Sequence, residues 1–207
     1  MPRALTLIRH GLTEWNVEGR FQGQSDLPLS DEGANQARRL AERMARMDPP
    51  DRIVTSPLRR AVDAAGIALA AQPVTIDPRL MELHFGTFEG RTLAENLAED
   101  AWEAWARDPY LQPAPGGESY RDLRERAVAW YRELPRDAAH VVAVTHSGTI
   151  QMLLAHVLGI EHPRWRKRIY LRHSSVTRIL VGERDTVVER VNDTRHLDEN
   201  GDDPFWE

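Results

Sequence analysis

The sequence predicts an α/β fold in three layers, with a mostly parallel central sheet flanked by helices and a small helical lid insertion. Short apolar runs alternate with segments of helical periodicity along the 207 residues. Three of the apolar runs end abruptly in polar signatures, as parallel strands do at the edge of a sheet where ligands bind. We find no repeat or linker, so residues 1–195 are predicted to form one domain, followed by a mobile acidic tail at residues 196–207.

The first strand is predicted at residues 4–8, a short apolar run that stops at Arg9-His10-Gly11. Glycine tolerates tight or left-handed backbone, so Gly11 lets the chain turn around a bound group. Ser30 is a predicted N-cap, because Asp31 and Glu32 follow it and favour the positive end of a helix dipole. Alanine, leucine and methionine at helical spacing extend this helix to about residue 47, where two prolines stop it.

A second strand is predicted at residues 52–55. We interpret Ser56-Pro57 as a cap followed by proline at the first helical position. The helix then runs through residue 71, with Val62 among the residues predicted to face inward. A third strand follows at residues 74–76.

The middle of the chain carries a predicted lid at residues 83–119, with a helix over residues 92–107 and a Pro- and Gly-rich loop at residues 109–117. Ser119 is predicted to cap another helix, which reaches about residue 134. The most strand-like run, residues 141–144, ends in Thr145-His146-Ser147-Gly148 and leads into a helix at residues 149–158. Residues 176–181 and 186–191 indicate a closing antiparallel pair.

Composition narrows the classes of function. The net charge is −5, which disfavours nucleic acid as a partner, and no cysteine is available for disulfides or thiolate metal sites. No apolar stretch approaches membrane-spanning length, so a membrane partner is not expected. The amino terminus lacks the apolar region of a signal peptide, and we therefore expect a cytoplasmic location.

If the strands are parallel, their polar ends converge. Arg9, Arg60, His10 and His146 then surround one point, together with helix N-terminal amides. Guanidinium groups bind phosphate through two parallel hydrogen bonds, and an imidazole can act as nucleophile, base or metal ligand. The set suits phosphoryl transfer, which depends mainly on positioning and charge stabilisation.

A carboxylic acid completes this predicted site. Glu82 stands among apolar residues and before flexible glycines, and it is our candidate general acid. Glu14 and Glu89 are rival candidates. His84 follows Glu82 closely enough to face a substrate, whereas we assign no role to the remaining histidines. Trp102 and Trp105 fall in the lid and are predicted to be core residues, with lining of the substrate site left open. The remaining histidines are His140, His156, His162, His173 and His196.

Seven motifs, in this order along the chain, resemble the histidine phosphatase superfamily, the phosphoglycerate-mutase-like proteins. They span residues 5 to about 150. The motifs are Arg9-His10-Gly11 with the following Leu12 to Asn16, Gly19-Arg20-Phe21-Gln22-Gly23, Leu29-Ser30, Ser56-Pro57-Leu58-Arg59-Arg60-Ala61, Glu82 with Phe85-Gly86 and Glu89-Gly90, Pro115-Gly116-Gly117-Glu118-Ser119, and His146-Ser147-Gly148.

The resemblance implies roles for these residues. His10 would form a phosphohistidine, and Glu82 would protonate the leaving oxygen and then activate water. Arg9, Arg60 and His146 would hold the phosphoryl oxygens, with Arg59 either exposed or in a supporting position. The remaining substrate-binding candidates are Asn16, Gln22, Gly23, Ser147, Gly148 and His84. We find no metal-ligand set and expect neither metal nor cofactor.

The resemblance leaves several activities open. We favour hydrolysis of small phosphomonoesters, because the segment from Glu82 to Ser119 is short and acidic, with only Arg91 and Arg107 as basic residues. Features at Gln22-Gly23-Gln24 resemble the broad-specificity and α-ribazole-phosphate phosphatases. The alternatives are a cofactor-dependent phosphoglycerate mutase, a protein phosphatase, and an inactive binding or regulatory protein of the same fold. A homodimer is also left open.

Overall fold

A computed structural model describes residues 3–70, 72–135, 137–161, 168–182 and 184–197, with only the backbone of Arg3. A six-stranded sheet in the order β3-β2-β4-β1-β5-β6 forms its centre. The strands are β1 (Arg3–Arg9), β2 (Arg52–Thr55), β3 (Val74–Ile76), β4 (His140–Thr145), β5 (Val176–Val181) and β6 (Thr186–Asp193). The first four are parallel to one another, β5 runs antiparallel to β1, and β6 runs antiparallel to β5. The predicted mostly parallel sheet is confirmed.

Seven α-helices are found in the described part of the chain. They are α1 (Glu14–Val17), α2 (Asp31–Met44), α3 (Arg59–Ala68), α4 (Leu93–Leu97), α5 (Asp100–Arg107), α6 (Tyr120–Arg132) and α7 (Ser147–Val157). Short 3₁₀ turns lie at Pro78–Leu80, Gly86–Phe88 and Arg195–Leu197. None of the helices described is long and apolar enough to cross a bilayer.

The two faces of the sheet carry separate cores, which gives the three predicted layers. Side chains alternate between the faces of a strand, so Val141 and Ala143 of β4 join one cluster while Val142 and Val144 join the other. Helices α2 and α3 cover the second cluster, and the first contains residues of α5, α6 and α7. All of β4 is buried, as expected for a central parallel strand.

Several helix bounds differ from the prediction. Helix α2 ends at Met44, and the predicted helix over residues 92–107 is two helices. Thr92 and Glu95 form a capping box at the start of α4, whereas Glu99, the N-cap of α5, makes no side-chain cap bond. Val62, predicted to face inward, is 36% exposed on α3, so this prediction was wrong. Helical spacing does not say which of the flanking positions the neighbouring elements cover.

Ser56 was wrongly predicted to cap α3. The helix begins two residues later than predicted, at Arg59, and its N-cap Leu58 makes no side-chain cap bond. The Ser56 hydroxyl accepts a hydrogen bond from the Leu58 amide at 3.3 Å and also contacts His146. Proline restricts the residue before it to extended backbone, which keeps Ser56 in the turn.

Gly11 is required for a reason that differs from the predicted one. Its φ is not positive, unlike that of Gly23 (φ 53°). A Cβ on Gly11 would instead lie 2.6 Å from the carbonyl oxygen of Gly33 in α2. The close approach of two backbones therefore excludes a side chain here, and it brings the start of α2 against the segment after β1.

The folded domain extends two residues past the predicted boundary at residue 195. Leu197 is buried, and the His196 ring lies 3.3 Å from Ser174 Oγ and 3.3 Å from the Arg43 guanidinium. The rest of the predicted tail, residues 198–207, lies outside the described residues.

Candidate active site

The polar ends of three strands meet at one edge of the sheet. In the parallel register Arg9 of β1 stands beside Thr145 of β4, and Thr55 of β2 beside Val144. The residues that follow these strands, His10, Ser56 and His146, therefore share that edge. The His10 amide donates to the Thr145 carbonyl at 3.0 Å, so the hydrogen-bond ladder between β1 and β4 continues to the backbone of His10.

His10 is buried and is held in one tautomer. Its Nδ1–H donates to the carbonyl oxygen of Gly11 at 2.6 Å, which leaves the lone pair on Nε2. Burial, and then the charges of Arg60 and Arg9, hold the pKa of His10 well below its usual range of about 6.5. The imidazole is therefore neutral at neutral pH, as a nitrogen nucleophile requires.

Arg60 is almost completely buried, with 1% of its surface exposed. Its two terminal nitrogens donate to the carbonyl oxygens of Ser25 at 2.8 Å and Gly23 at 2.6 Å. The Nε atom is buried and has no hydrogen-bond partner among the described residues. Burial lowers the pKa of Arg60 to about 10, so the guanidinium is still charged at neutral pH. A buried cation with an unused donor can bind an anion.

The Arg9 guanidinium is fixed by the segment before β5. It donates to the Leu171 carbonyl, and its other terminal nitrogen lies 2.6 Å from His173 Nε2. His173 is buried, and its ring centroid lies 6.0 Å from that of His10. The sequence prediction assigned His173 no role. The antiparallel direction of β5 could have revealed it, because residues before that strand lie at the edge where β1 ends.

His146 completes a group of buried imidazoles. Its ring centroid lies 5.0 Å from that of His10, and its Nε2 is 2.8 Å from the Ser56 hydroxyl. Its Nδ1 is buried without a hydrogen-bond partner among the described residues. Burial, followed by the charge of Arg60, keeps the pKa of His146 well below its usual range. Like Arg60, this side chain has unused hydrogen-bonding capacity beside His10.

Glu82 is partly buried next to the start of α7. Its carboxylate accepts hydrogen bonds from the Leu83 amide at 2.8 Å and from the Gly148 amide at 3.0 Å. A Cβ on Gly148 would lie 2.3 Å from the same carboxylate, so only glycine leaves room for it. Gly148 therefore contacts the Glu82 carboxylate directly through its backbone amide. The negative charge of Glu82 raises the pKa of Arg60 and so opposes the effect of burial.

Glu89, a rival candidate for the acid, holds a turn. It accepts hydrogen bonds from the Gln24 amide at 2.9 Å and from the amide and hydroxyl of Ser25 at 2.8 and 2.6 Å. It accepts a further bond from the Phe85 amide at 3.0 Å. This turn supplies the two carbonyl oxygens to which Arg60 donates. Glu89 is therefore a support for Arg60, with its lone pairs already used.

The remaining predicted residues have varied surroundings. Gln22 is buried, and its Oε1 has no hydrogen-bond partner among the described residues. Asn16 forms a capping box with Thr13, the N-cap of α1, and its Oδ1 accepts from the amide and hydroxyl of Thr13 at 3.1 and 3.0 Å. The side chain of His84 is 41% exposed and lies 3.8 Å from Glu89. Ser147 and Gly148 are the first two residues of α7.

The segment predicted as a lid, residues 83–119, packs into the core through aromatic rings. Trp102 and Trp105 of α5 are buried with their centroids 4.9 Å apart, and Phe21 lies edge-on to Trp102 at 5.1 Å. Such pairs contribute roughly 0.5–1.5 kcal/mol beyond their burial. The two tryptophans belong to the core, as predicted.

The described residues hold no group of three or more His, Asp or Glu side chains placed to bind a metal ion. The charges that face His10 come from arginine instead. The site holds a buried neutral imidazole between guanidinium groups, with a carboxylic acid nearby. These groups define a class of protein that binds a small anion and can attack it through an imidazole nitrogen.

A family model for the histidine phosphatase superfamily (branch 1) matches residues 5–194. The chain belongs to this superfamily. It is 41% identical over 177 residues to a glucosyl-3-phosphoglycerate phosphatase of Mycolicibacterium vanbaalenii, covering 79% of this chain and 77% of that protein. It is also 37% identical over 207 residues to a probable phosphoglycerate mutase GpmB of Salmonella paratyphi C, covering 93% and 94%.

The fold is shared with a solved structure. A putative alpha-ribazole-5'-P phosphatase from Escherichia coli superposes with a TM-score of 0.87 over 94% of this chain and 98% of that one, at 24% sequence identity. At this level of identity the likeness concerns the fold alone.

Proposed function

We propose that this chain hydrolyses small phosphomonoesters through a phosphohistidine at His10, without a metal ion. The observation that carries the proposal is the neutral His10 ring, whose Nδ1–H is fixed on the Gly11 carbonyl beside Arg9, Arg60 and His146. The phosphatase name of the relative from Mycolicibacterium vanbaalenii supports the same reaction class.

In the first step the lone pair of His10 Nε2 attacks phosphorus, and the bond from phosphorus to the ester oxygen breaks. Glu82 transfers its proton to the departing oxygen, so that an alcohol leaves instead of an alkoxide. Arg9, Arg60 and His146 hold the phosphoryl oxygens and stabilise their charge. Asn16, Gln22 and Ser147 remain candidates for further contacts with the substrate.

In the second step the Glu82 carboxylate takes a proton from water. The water oxygen bonds to phosphorus, the N–P bond breaks, and the electron pair returns to His10 Nε2. Phosphate leaves, and Glu82 is again protonated for the next cycle. The covalent intermediate divides one difficult displacement into two easier ones.

A phosphoglycerate mutase is the second candidate, and the similarity to the probable mutase of Salmonella paratyphi C favours it. A mutase needs cations to grip the carboxylate of its substrate. Both basic residues of the lid are paired with lid carboxylates, Arg91 with Glu99 at 2.8 Å and Arg107 with Glu103 at 2.7 Å. This pairing favours hydrolysis.

Phosphate release from a panel of metabolite phosphoesters, with and without EDTA, tests the proposal. We expect turnover in EDTA and labelled phosphate trapped on the wild-type protein after acid-free denaturation, with both lost in His10→Ala. Turnover that survives in His10→Ala would exclude the phosphohistidine. Isomerisation of phosphoglycerate faster than phosphate release, in the presence of the bisphosphate primer, would favour the mutase.

A further inference from the structure

Arg126 of α6 is largely buried and binds the backbone that carries Glu82. Its side chain is 18% exposed. One terminal nitrogen donates to the carbonyl oxygens of Arg79 at 2.9 Å and Met81 at 2.6 Å, and the other donates to the carbonyl of Glu82 at 2.8 Å. Three carbonyls within four residues therefore share a single guanidinium group.

Glu118 keeps this guanidinium in place. Both oxygens of its carboxylate accept hydrogen bonds from Arg126, one from a terminal nitrogen at 2.6 Å and one from Nε at 3.1 Å. The same carboxylate accepts the His84 amide at 2.9 Å, two residues after Glu82. Gln24 adds a further donor to the Glu82 carbonyl at 3.1 Å. The backbone on both sides of Glu82 is thus tied to one buried ion pair.

The backbone around Glu82 is not part of a helix or strand. It leaves a 3₁₀ turn at Leu80 and enters the next at Gly86, so no helix or sheet ladder fixes residues 81–85. Side chains take the place of a ladder: Thr145 donates to the Leu80 carbonyl at 2.6 Å, and Thr149 donates to the Met81 carbonyl at 2.8 Å. Buried carbonyls need such partners, because an unsatisfied one costs about 1–3 kcal/mol.

We propose that Arg126 is a positioning residue for Glu82, and that Glu118 acts through Arg126. Among the described residues, Arg126 makes hydrogen bonds to the Glu118 carboxylate and to the backbone carbonyls of residues 79, 81 and 82. It sets where the Glu82 carboxylate stands relative to the ester oxygen. The inference rests on the proposed function, in which Glu82 protonates that oxygen.

The planar fork of arginine matters to this role. A lysine ammonium is a compact charge that can keep the ion pair with Glu118 but cannot bond in parallel to carbonyls of residues 79, 81 and 82. Arg126→Lys therefore retains the buried charge but loses hydrogen bonds that hold the backbone of Glu82. Arg126→Met removes the charge and the hydrogen bonds. Arg121→Gln is the matched control, because Arg121 lies on the same helix with its side chain 52% exposed.

The test compares kcat/KM for two esters, since this ratio reports only the steps up to formation of the phosphohistidine. Dinitrophenolate departs without a proton, whereas the alkoxide of glycerol phosphate requires one. With Arg126→Lys we expect kcat/KM for glycerol phosphate to fall about 100-fold, and that for dinitrophenyl phosphate to stay within about threefold. Arg121→Gln changes neither.

Equal losses on both esters, or no loss on glycerol phosphate, would overturn the inference. Hydrogen exchange supplies a readout that does not depend on turnover. Amides of residues 82–85 are expected to exchange faster in Arg126→Lys and Arg126→Met than in wild type, and unchanged protection there would also refute the role. A wild-type protein that hydrolyses neither ester would refute the proposed function instead.

Discussion

The amide of Gly148, the second residue of α7, donates to the Glu82 carboxylate at 3.0 Å. This contact joins the segment after β4, where His146 lies, to Glu82, which follows a 3₁₀ turn and stands 66 residues earlier in the chain than Gly148. It also explains the glycine, because a Cβ at this position would lie 2.3 Å from Glu82 Oε1.

Gly148→Ala should therefore displace the acid without unfolding the protein, since the group in its way is the flexible end of a side chain. We expect kcat/KM for an alkyl phosphate to fall about 100-fold. The free energy of unfolding should change by no more than about 2 kcal/mol. Urea unfolding and steady-state kinetics measure the two quantities.

Gly66→Ala is the control for that substitution. Gly66 lies in α3 and a Cβ there would meet nothing within 4 Å, so alanine should stabilise the protein by up to about 1 kcal/mol and leave kinetics unchanged. Wild-type activity in Gly148→Ala would contradict the placement of Glu82.

Glu89→Gln should act through Arg60. Glutamine replaces one accepting oxygen by a donor, which would face either the amides of Gln24 and Phe85 or the amide and hydroxyl of Ser25. We expect a loss of about 2 kcal/mol in the free energy of unfolding. Because the turn also supplies the carbonyls that hold Arg60, the inhibition constant of inorganic phosphate should rise several-fold.

Leaving-group dependence separates the two glutamates. Glu82→Gln should lower kcat/KM for alkyl esters far more than for dinitrophenyl phosphate, whereas Glu89→Gln should lower both alike. A loss of kcat/KM in Glu89→Gln that is confined to alkyl esters would instead identify Glu89 as the general acid. Glu42→Gln, an exposed change on α2, serves as the neutral control.

The His10 imidazole should titrate below its ordinary pKa. Burial and the charges of Arg60 and Arg9 favour the neutral ring, so His10 stays unprotonated as the pH falls past about 6.5. NMR titration of the ring should give a midpoint below that value, and Arg60→Met should move the midpoint upward. A wild-type midpoint at or above 6.5 would contradict the assignment.

Stability should decline as the pH falls from about 7 to about 5. Burial lowers the pKa of His10, His146 and His173 in the folded state, and it lowers that of His196 to about 4. The unfolded chain binds protons from about pH 6.5 downward while the folded chain does not, so acid favours unfolding. Each such group contributes at most about 1.4 kcal/mol per pH unit.

Urea unfolding at several pH values measures this slope. Aspartates with lowered pKa values, such as Asp77, contribute only below about pH 4, so the decline above pH 5 reports on the imidazoles. His196→Asn should make the slope shallower. A free energy of unfolding that is constant between about pH 7 and 5 would contradict the lowered values.

Some elements could be predicted because their signals are local. The Ser119 cap of α6 and the four residues of β2 agree with the structure, since capping and apolar runs depend on neighbours in sequence. The break at Ala98 within the lid was missed, because helical spacing continues across it. Ser56 was misassigned as a cap, because its partner His146 is ninety positions away.

The sequence by itself determined the α/β class and the residues at the strand ends, because parallel strands bring their carboxyl ends to one edge whatever the packing. Only the tertiary structure decided how those residues are held. The hydrogen bonds of Glu82 to Gly148, of Arg9 to Leu171 and of Arg126 to the backbone before Leu83 join segments from different parts of the chain. Such contacts depend on the direction of each side chain in the packed core, which no local pattern encodes.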